Sequence, residues 1–131
     1  RLHIAHISTK GAVDIVRRAK ARGVNVTCET CPHYFTLTEE AAMQYNTYAK
    51  VIPPLRTEAD TKAIIEGLAD GTIDVIASGH MPTRIEHKQR EFDRASYGIS
   101  AFEIRRNQEL YRRPSLSNPE AQHSGILGID R

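Results

Sequence analysis

Residues 71–83 read GTIDVIASGHMPT, and the fold turns on how that stretch is read. Ile73, Val75 and Ile76 make a short apolar run behind a glycine turn, long enough for one buried strand. The run ends in small and polar residues, Ser78, Gly79 and His80, followed by Met81-Pro82. A buried parallel strand that runs out into Ser-Gly-His puts these residues where α/β proteins bind ligands, at the carboxyl ends of strands. A plainer reading stands beside it, in which His80 merely caps a strand.

Upstream of this stretch, Thr57 reads as the cap of a helix from Glu58 to about Ala69, with Ala59, Ala63, Ile64 and Leu68 on its buried side. Asp70-Gly71 breaks it. At the start of the chain, Leu2 to Ile7 reads as a buried strand and Ser8-Thr9 as an N-cap. Gly11 to Arg22 has helical spacing, with Ala12, Ile15, Val16 and Ala19 inside and Arg17, Arg18, Lys20 and Arg22 outside. Basic last turns suit the helix dipole, and Gly23 ends the helix. Val24 to Thr30 is the next strand. Between them and Thr57, Pro32 to Phe35 reads as a loop, Glu39 to Gln44 as a short helix capped by Thr38, and Ala49 to Ile52 as an extended piece stopped by Pro53-Pro54. The order β-α-β-(α)-α-β predicts an α/β fold with a parallel sheet and right-handed crossovers. Downstream of His80, Arg84 to Arg94 reads as a solvated helix or loop and Tyr97-Gly98-Ile99 as a turn. Ala101 to Arg112 reads as a helix, and Pro114 to Pro119 as a linker.

The chain has 131 residues and a formal net charge of +2, enough for one domain with a core. The basic pairs Arg17-Arg18, Arg105-Arg106 and Arg112-Arg113 are scattered and lack interleaved aromatics, which argues against nucleic acid as a partner. No apolar run approaches the roughly 20 residues of a membrane span. The first residues, RLHIAHISTK, lack the shape of a signal peptide, so a cytoplasmic location is expected. They also open directly on an apolar strand, as expected of a piece cut from something longer. Cys28 and Cys31 form a C-x-x-C within a strand, with no second cysteine pair to complete a structural zinc site. Two reduced, buried thiols are expected.

Chemistry could gather at three histidines. His6 follows the first strand, His33 the second and His80 the third. In a parallel sheet all three imidazoles collect at one edge, and imidazole is the commonest metal ligand. Each could equally be an ordinary polar loop residue. His3 shares a strand with His6 but points away, and is expected to be structural; His87 and His123 are expected to be solvated. Glu29 is the only acid at a strand end. Asp74 begins its strand, on the wrong side of the sheet. Gly79 stands where a general base would be wanted at the end of the third strand.

At family level the residues resemble dihydroorotase of the class I type, within the cyclic amidohydrolases. HIAHISTKGAVDIVRRAKARG, VTCETCPHYFTLTEE, KVIPPLRTEAD and AIIEGLADGTIDVIASGH carry the resemblance, nearly without gaps from His3 to about Glu103. SNPEAQHSGILGID resembles the segment after that family's last barrel strand. The resemblance implies the C-terminal part, about three to four βα units, of a TIM-type (β/α)₈ barrel. Residues 1–103 would be a partial barrel, and 104–131 a helical or loop segment from the end of the same domain. It implies zinc as cofactor and a cyclic amide as substrate. The reaction would be the reversible ring closure of N-carbamoyl-aspartate to dihydroorotate in pyrimidine biosynthesis. Allantoinases and hydantoinases share the C-P-H-Y and P-P-L-R pieces.

Of the metal ligands the resemblance implies, only one has a counterpart here, and it is His6. The family's last strand ends in Thr-Asp-His-Ala-Pro-His; Gly79 takes the place of its catalytic Asp, and Thr83 that of its second, substrate-holding His. Ile52 replaces a substrate-binding Asn. Tyr97-Gly98 stands where the family makes a backbone contact to the ring. The expectation is therefore an enzyme segment inactive by itself. The alternative is a non-catalytic homologue acting as an interaction module. A partial parallel sheet leaves open edges, so self-association, or union with a missing N-terminal barrel half, is expected as well.

Overall fold

The structure is a computed structural model that describes residues 1–101. The segments read from sequence as a helix over 101–112 and a linker over 114–119, the stretch 117–130 and His123 lie outside the described residues, apart from Ala101. Three strands, β1 (Leu2–Ile4), β2 (Val26–Thr30) and β3 (Val75–Ile76), form one sheet in the order β1-β2-β3. Both pairings are parallel, with Leu2 opposite Val26 and Glu29 opposite Val75. The parallel α/β architecture is the one expected, and its parallel pairings are those that part of a (β/α)₈ barrel has. The strands are shorter than the sequence implied, but their ladder runs on. Ile7 N–H donates to the Glu29 carbonyl at 2.8 Å, and Ala77 N–H donates to the Thr30 carbonyl at 2.9 Å.

The two long helices start as the caps predict. In α1 (Lys10–Ala21) the Thr9 hydroxyl accepts from Ala12 N–H. In α3 (Glu58–Ala69) Thr57 and Asp60 complete a reciprocal capping box. Asp60 also accepts from Lys10 N–H at 2.8 Å, so one carboxylate ties the starts of both helices together. Gly23, at φ +78, turns the chain out of α1 as a left-handed residue must.

The buried face of α1 differs from the one read from spacing. Val13 and Val16 are fully enclosed, whereas Ile15 is 58 % exposed. The cause lies on α3. Gly67 is bare there, and the Cβ it lacks would sit 3.0 Å from Val13 Cγ1 and 3.2 Å from Ile73 Cδ1. Val13 packs into this gap, and the face of α1 that turns to α3 is therefore the Val13–Val16 face, with Ile15 outside it. On α3, Ala63 and Ile64 are buried as expected, but Ala59 in the first turn is exposed.

The outer strands are not buried runs. Among the described residues only β2 has partners on both sides, and its residues alternate between buried and half-buried. Leu2 on β1 and Val75 on β3 are exposed because each lies at an edge of the sheet. The expected loop at Pro32–Phe35 is instead a single helical turn, α2 (His33–Thr36), with Tyr34 and Phe35 in the core. Glu39–Tyr45 is a run of 3₁₀ turns where a short helix was expected, and a further 3₁₀ turn, Thr47–Ala49, takes in the first residue of the expected extended piece, which Lys50 then begins. Left-handed Gln44 and Tyr45 stop the first of these from continuing. A last turn, α4 (Ile85–Lys88), lies in the charged segment. That segment is not wholly solvated, since Lys88 is buried and His87 half-buried.

Asp74 holds the amino end of the sheet. It accepts from Lys20 Nζ at 2.8 Å and from the β2 amide of Cys28 at 2.8 Å. Burial works against its ionisation, but the lysine and the amide outweigh that and keep its carboxyl below the usual range. Asp74→Ala leaves the Cys28 N–H without its acceptor, and should lower unfolding stability by about 1–3 kcal/mol. Urea denaturation at neutral pH measures this, and an unchanged midpoint would contradict it.

Candidate functional site

The three strands deliver His6, His33 and His80 to one open cleft of about 380 Å³ at their carboxyl ends. Ile52, Gly79, Tyr97 and Gly98 also line it, as do Tyr34, Val51, Ala77, Ser78, Met81 and Ile99. Thr83 does not line it. Its hydroxyl is turned toward the Tyr97 carbonyl, at 3.4 Å, and so sits behind the cleft wall.

His6 reaches the cleft through a backbone reversal. It has φ +57, a left-handed conformation that histidine adopts more readily than most residues, though at some cost. The turn is pinned directly after it. Ile7 N–H donates to Glu29, and the Ile7 carbonyl accepts from the Thr30 hydroxyl at 2.7 Å. The reversal breaks the strand alternation on which the separation of His3 from His6 was argued. His3 and His6 in fact converge on one carboxylate: His6 Nδ1 lies 3.1 Å from Glu29 Oε1, and His3 Nε2 lies 3.4 Å from Glu29 Oε2. Facing a carboxylate, the neutral His6 ring carries its proton on Nδ1 and presents a lone pair at Nε2.

His33 is buried, and its ring centre lies 4.1 Å from that of Tyr34 with the two planes tilted by 58°. Its Nδ1 is buried with no hydrogen-bond partner among the described residues. Burial first, and then the nearby His6, push its pKa down to about 4, so this ring is neutral at physiological pH. His80 Nδ1 accepts from Ala101 N–H at 3.0 Å, which places the proton of the neutral ring on Nε2. The Tyr34 hydroxyl donates to the Pro53 carbonyl at 2.9 Å, and burial raises its pKa. Cys31 lies behind the cleft. Burial, with Glu29 adding to it, pushes its thiol up to about 11, which leaves it protonated and a poor nucleophile. Both cysteines are free and buried.

Gly79 is built into this wall rather than simply standing in it. It has φ +56, and the Cβ it lacks would lie 2.6 Å from His33 Cε1 and 2.9 Å from Cys31 Sγ. The His33 ring fills the space that a side chain at position 79 would need. The chain is here adapted to glycine, both sterically and in its backbone angle.

The His6 lone pair suits a metal, but one ligand is not a site. Among the described residues no three His, Cys, Asp or Glu side chains come together to hold an ion. The zinc expected from the resemblance does not fit these residues alone.

No protein-family model matches the chain. Curated relatives do. Dihydroorotase of Acetivibrio thermocellus is 58 % identical over 102 residues, 78 % of this chain and 24 % of that protein. Dihydroorotase of Endomicrobium trichonymphae is 57 % identical over 130 residues, 99 % of this chain and 29 % of that protein. Over most of its length the chain is similar to dihydroorotases. It spans about a quarter of the length of the curated relatives it matches. Among solved structures, the L-hydantoinase (dihydropyrimidinase) of Arthrobacter aurescens superposes with a TM-score of 0.74 at 28 % identity, over 88 % of this chain and 28 % of that one. Among the described residues no helix is long and apolar enough to cross a membrane.

Two measurements follow from this cleft. Gly79→Ala forces a side chain into the His33 ring and should cost about 1–3 kcal/mol of stability, read by denaturant unfolding; a neutral effect would show that the wall yields. His33 titrates near 6.5 when free and near 4 when folded. Between those values the unfolded chain binds the extra proton, so stability is greatest above about pH 6.5 and falls as the pH drops toward 4. Thermal melts across that interval should show the decline, and His33→Gln should make it shallower.

Proposed function

We propose that this chain contributes one wall of the substrate cleft of a dihydroorotase-type cyclic amidohydrolase, and that it does not turn substrate over by itself. The reaction would be the reversible closure of N-carbamoyl-aspartate to dihydroorotate. The observation that carries the reading is the meeting of His6, His33 and His80 with Ile52, Gly79, Tyr97 and Gly98 around one cleft at the strand ends. Relatives named dihydroorotase support that substrate class. The hydantoinase likeness keeps other cyclic amides in view.

The residues divide the work by their protonation and burial. His6, oriented by Glu29, would offer Nε2 to a metal, which in this chemistry polarises the amide and lowers the pKa of water. The remaining ligands would come from outside residues 1–101. His80 carries its proton on the nitrogen not bound to Ala101, and neutral His33 adds no charge. Tyr97 and Gly98 would bound the ring of the substrate. A proton shuttle at position 79 is absent, and losing a general acid–base group costs about 10²–10⁴ in rate.

That loss favours a second reading, a non-catalytic homologue that pairs with other barrel parts. Its specific support is the packing of His33 and Cys31 into the space a side chain at position 79 would take. In either reading the exposed edge strands β1 and β3 call for a partner, another copy or further barrel strands.

The test is a dihydroorotase assay in both directions on the purified 131-residue chain supplied with zinc, together with zinc content by mass spectrometry and size by sedimentation velocity. We expect no turnover, less than one zinc per chain and species larger than the 14.7 kDa monomer. Turnover would overturn the claim of inactivity. A monomer that melts cooperatively would overturn the need for a partner. The mass of the native polypeptide in its source cells separates the two readings: a product several times longer favours the enzyme, and one of 14.7 kDa favours the module.

A further inference from the structure

Two lysines near the cleft have an unusual environment. Lys50 and Lys88 are both buried, at 7 % and 4 % exposure. An ammonium group seldom leaves water without a carboxylate partner. Among the described residues no ion pair reaches either one. Each instead spends its three N–H donors on backbone carbonyls. Lys50 Nζ donates to Phe92 at 2.6 Å, Asp93 at 3.1 Å and Ala95 at 2.7 Å. Lys88 Nζ donates to Thr47 at 2.9 Å, Ser96 at 3.0 Å and Gly98 at 2.6 Å.

The acceptors are the informative part. Apart from Thr47 they all belong to the segment 92–98, which has no helix or strand of its own beyond turns. Lys50 reinforces this hold twice more. Its carbonyl accepts from Gly98 N–H at 2.9 Å, and its ammonium lies 4.6 Å from the centre of the Tyr97 ring. Gly98 therefore has both backbone groups engaged by the two lysines, its N–H by Lys50 and its carbonyl by Lys88. Gly98 also presses against Met81, whose carbonyl oxygen occupies the space a Cβ there would need. Ile99 continues the contact by accepting from Met81 N–H at 3.0 Å.

We propose that Lys50 and Lys88 are positioning residues that fix the Tyr97–Gly98 wall of the cleft, as a pair of buried ammonium staples across an otherwise irregular loop. Neither reaches the cleft itself. They act by setting where the Gly98 backbone and the Tyr97 ring stand. Irregular chain keeps one conformation only when its backbone polar groups find fixed partners, and charged donors bind carbonyls more strongly than neutral ones. The consequence for ligand binding rests on the reading of the cleft proposed above; the positioning itself does not.

The experiment is hydrogen–deuterium exchange, read by mass spectrometry on the full 131-residue chain, comparing wild type with Lys88→Met and Lys50→Met. Methionine fills the stem and removes the donors. Exchange in peptides covering 91–101 should quicken at least tenfold, while peptides covering α3 stay as in the wild type. Lys88→Gln, which keeps two donors, should fall between; it also decides the matter if the methionine variants do not fold. Equal quickening in α3 would mean a global stability role and would overturn the proposal, as would unchanged exchange over 91–101. A second arm adds dihydroorotate to each protein. Protection of 91–101 in the wild type, weakened tenfold or more in Lys88→Met, extends the role to ligand binding. No protection in the wild type defeats the reading of the cleft and leaves the exchange result to judge the lysines. Equal protection in both defeats the link between the staples and binding.

Discussion

Thr30 is the residue on which the geometry of the site depends. It sits on the central strand, fully enclosed, and serves both neighbours at once. Its hydroxyl donates to the Ile7 carbonyl at 2.7 Å, and its own carbonyl accepts from Ala77 N–H at 2.9 Å. The first of these bonds sets the left-handed turn at His6, and the second sets the start of Ser78-Gly79-His80. His33 follows only three residues further along the same strand exit. A buried side-chain hydroxyl in a dry environment makes a well-determined bond, because water does not compete for it. The three histidines meet at one cleft since the strands that carry them are tied at their ends by Thr30, with the Ile7 N–H bond to the Glu29 carbonyl beside it.

The cleft so formed has little charge of its own on the described side. His33 is held neutral by burial, His80 is tied to Ala101, and position 79 brings no acid. Glu29 meets His3 and His6, and its carboxylate is taken up with those two rings. What charge the neighbourhood does have is buried in Lys50 and Lys88, and it is spent on holding backbone. The wall of the cleft is thus rigid by two unlike means: parallel strand pairing on one side, ammonium–carbonyl cages on the other. Such a surface is suited to shaping and orienting a ring. Position 79 brings it no carboxylate with which to move protons.

Much of this was legible in the sequence for identifiable reasons. Helix caps are local chemistry, so Thr9, Thr57 and Gly23 marked the ends of α1 and α3 correctly. Strand, helix and strand in alternation implied a parallel sheet, and with it a common edge for His6, His33 and His80. Misreadings arose where a distant residue intervened. Ile15 was assigned to the core because spacing alone cannot know that Gly67, on another helix, offers its gap to Val13. His3 was separated from His6 because strict alternation does not anticipate a left-handed residue. Lys88 was placed in a solvated stretch because a charged run carries no signal that one member is buried. Lys50 did carry one: a lysine between Ala49 and Val51-Ile52 interrupts an apolar run, and such a residue needs a partner.

The amino-acid sequence by itself determined the order and ends of the main elements, the parallel sense of the sheet and the three histidines at strand exits. These follow from periodicity and capping, which act within a few residues. Only the tertiary structure decided that His6 turns back onto Glu29, that His33 occupies the space beside Gly79, and that two lysines with no carboxylate partner among the described residues hold the Tyr97–Gly98 wall. Each of these depends on groups far apart in the chain brought within a few ångströms of one another. Burial then changes their chemistry, lowering the His33 pKa and confining the lysines to the carbonyls they can reach.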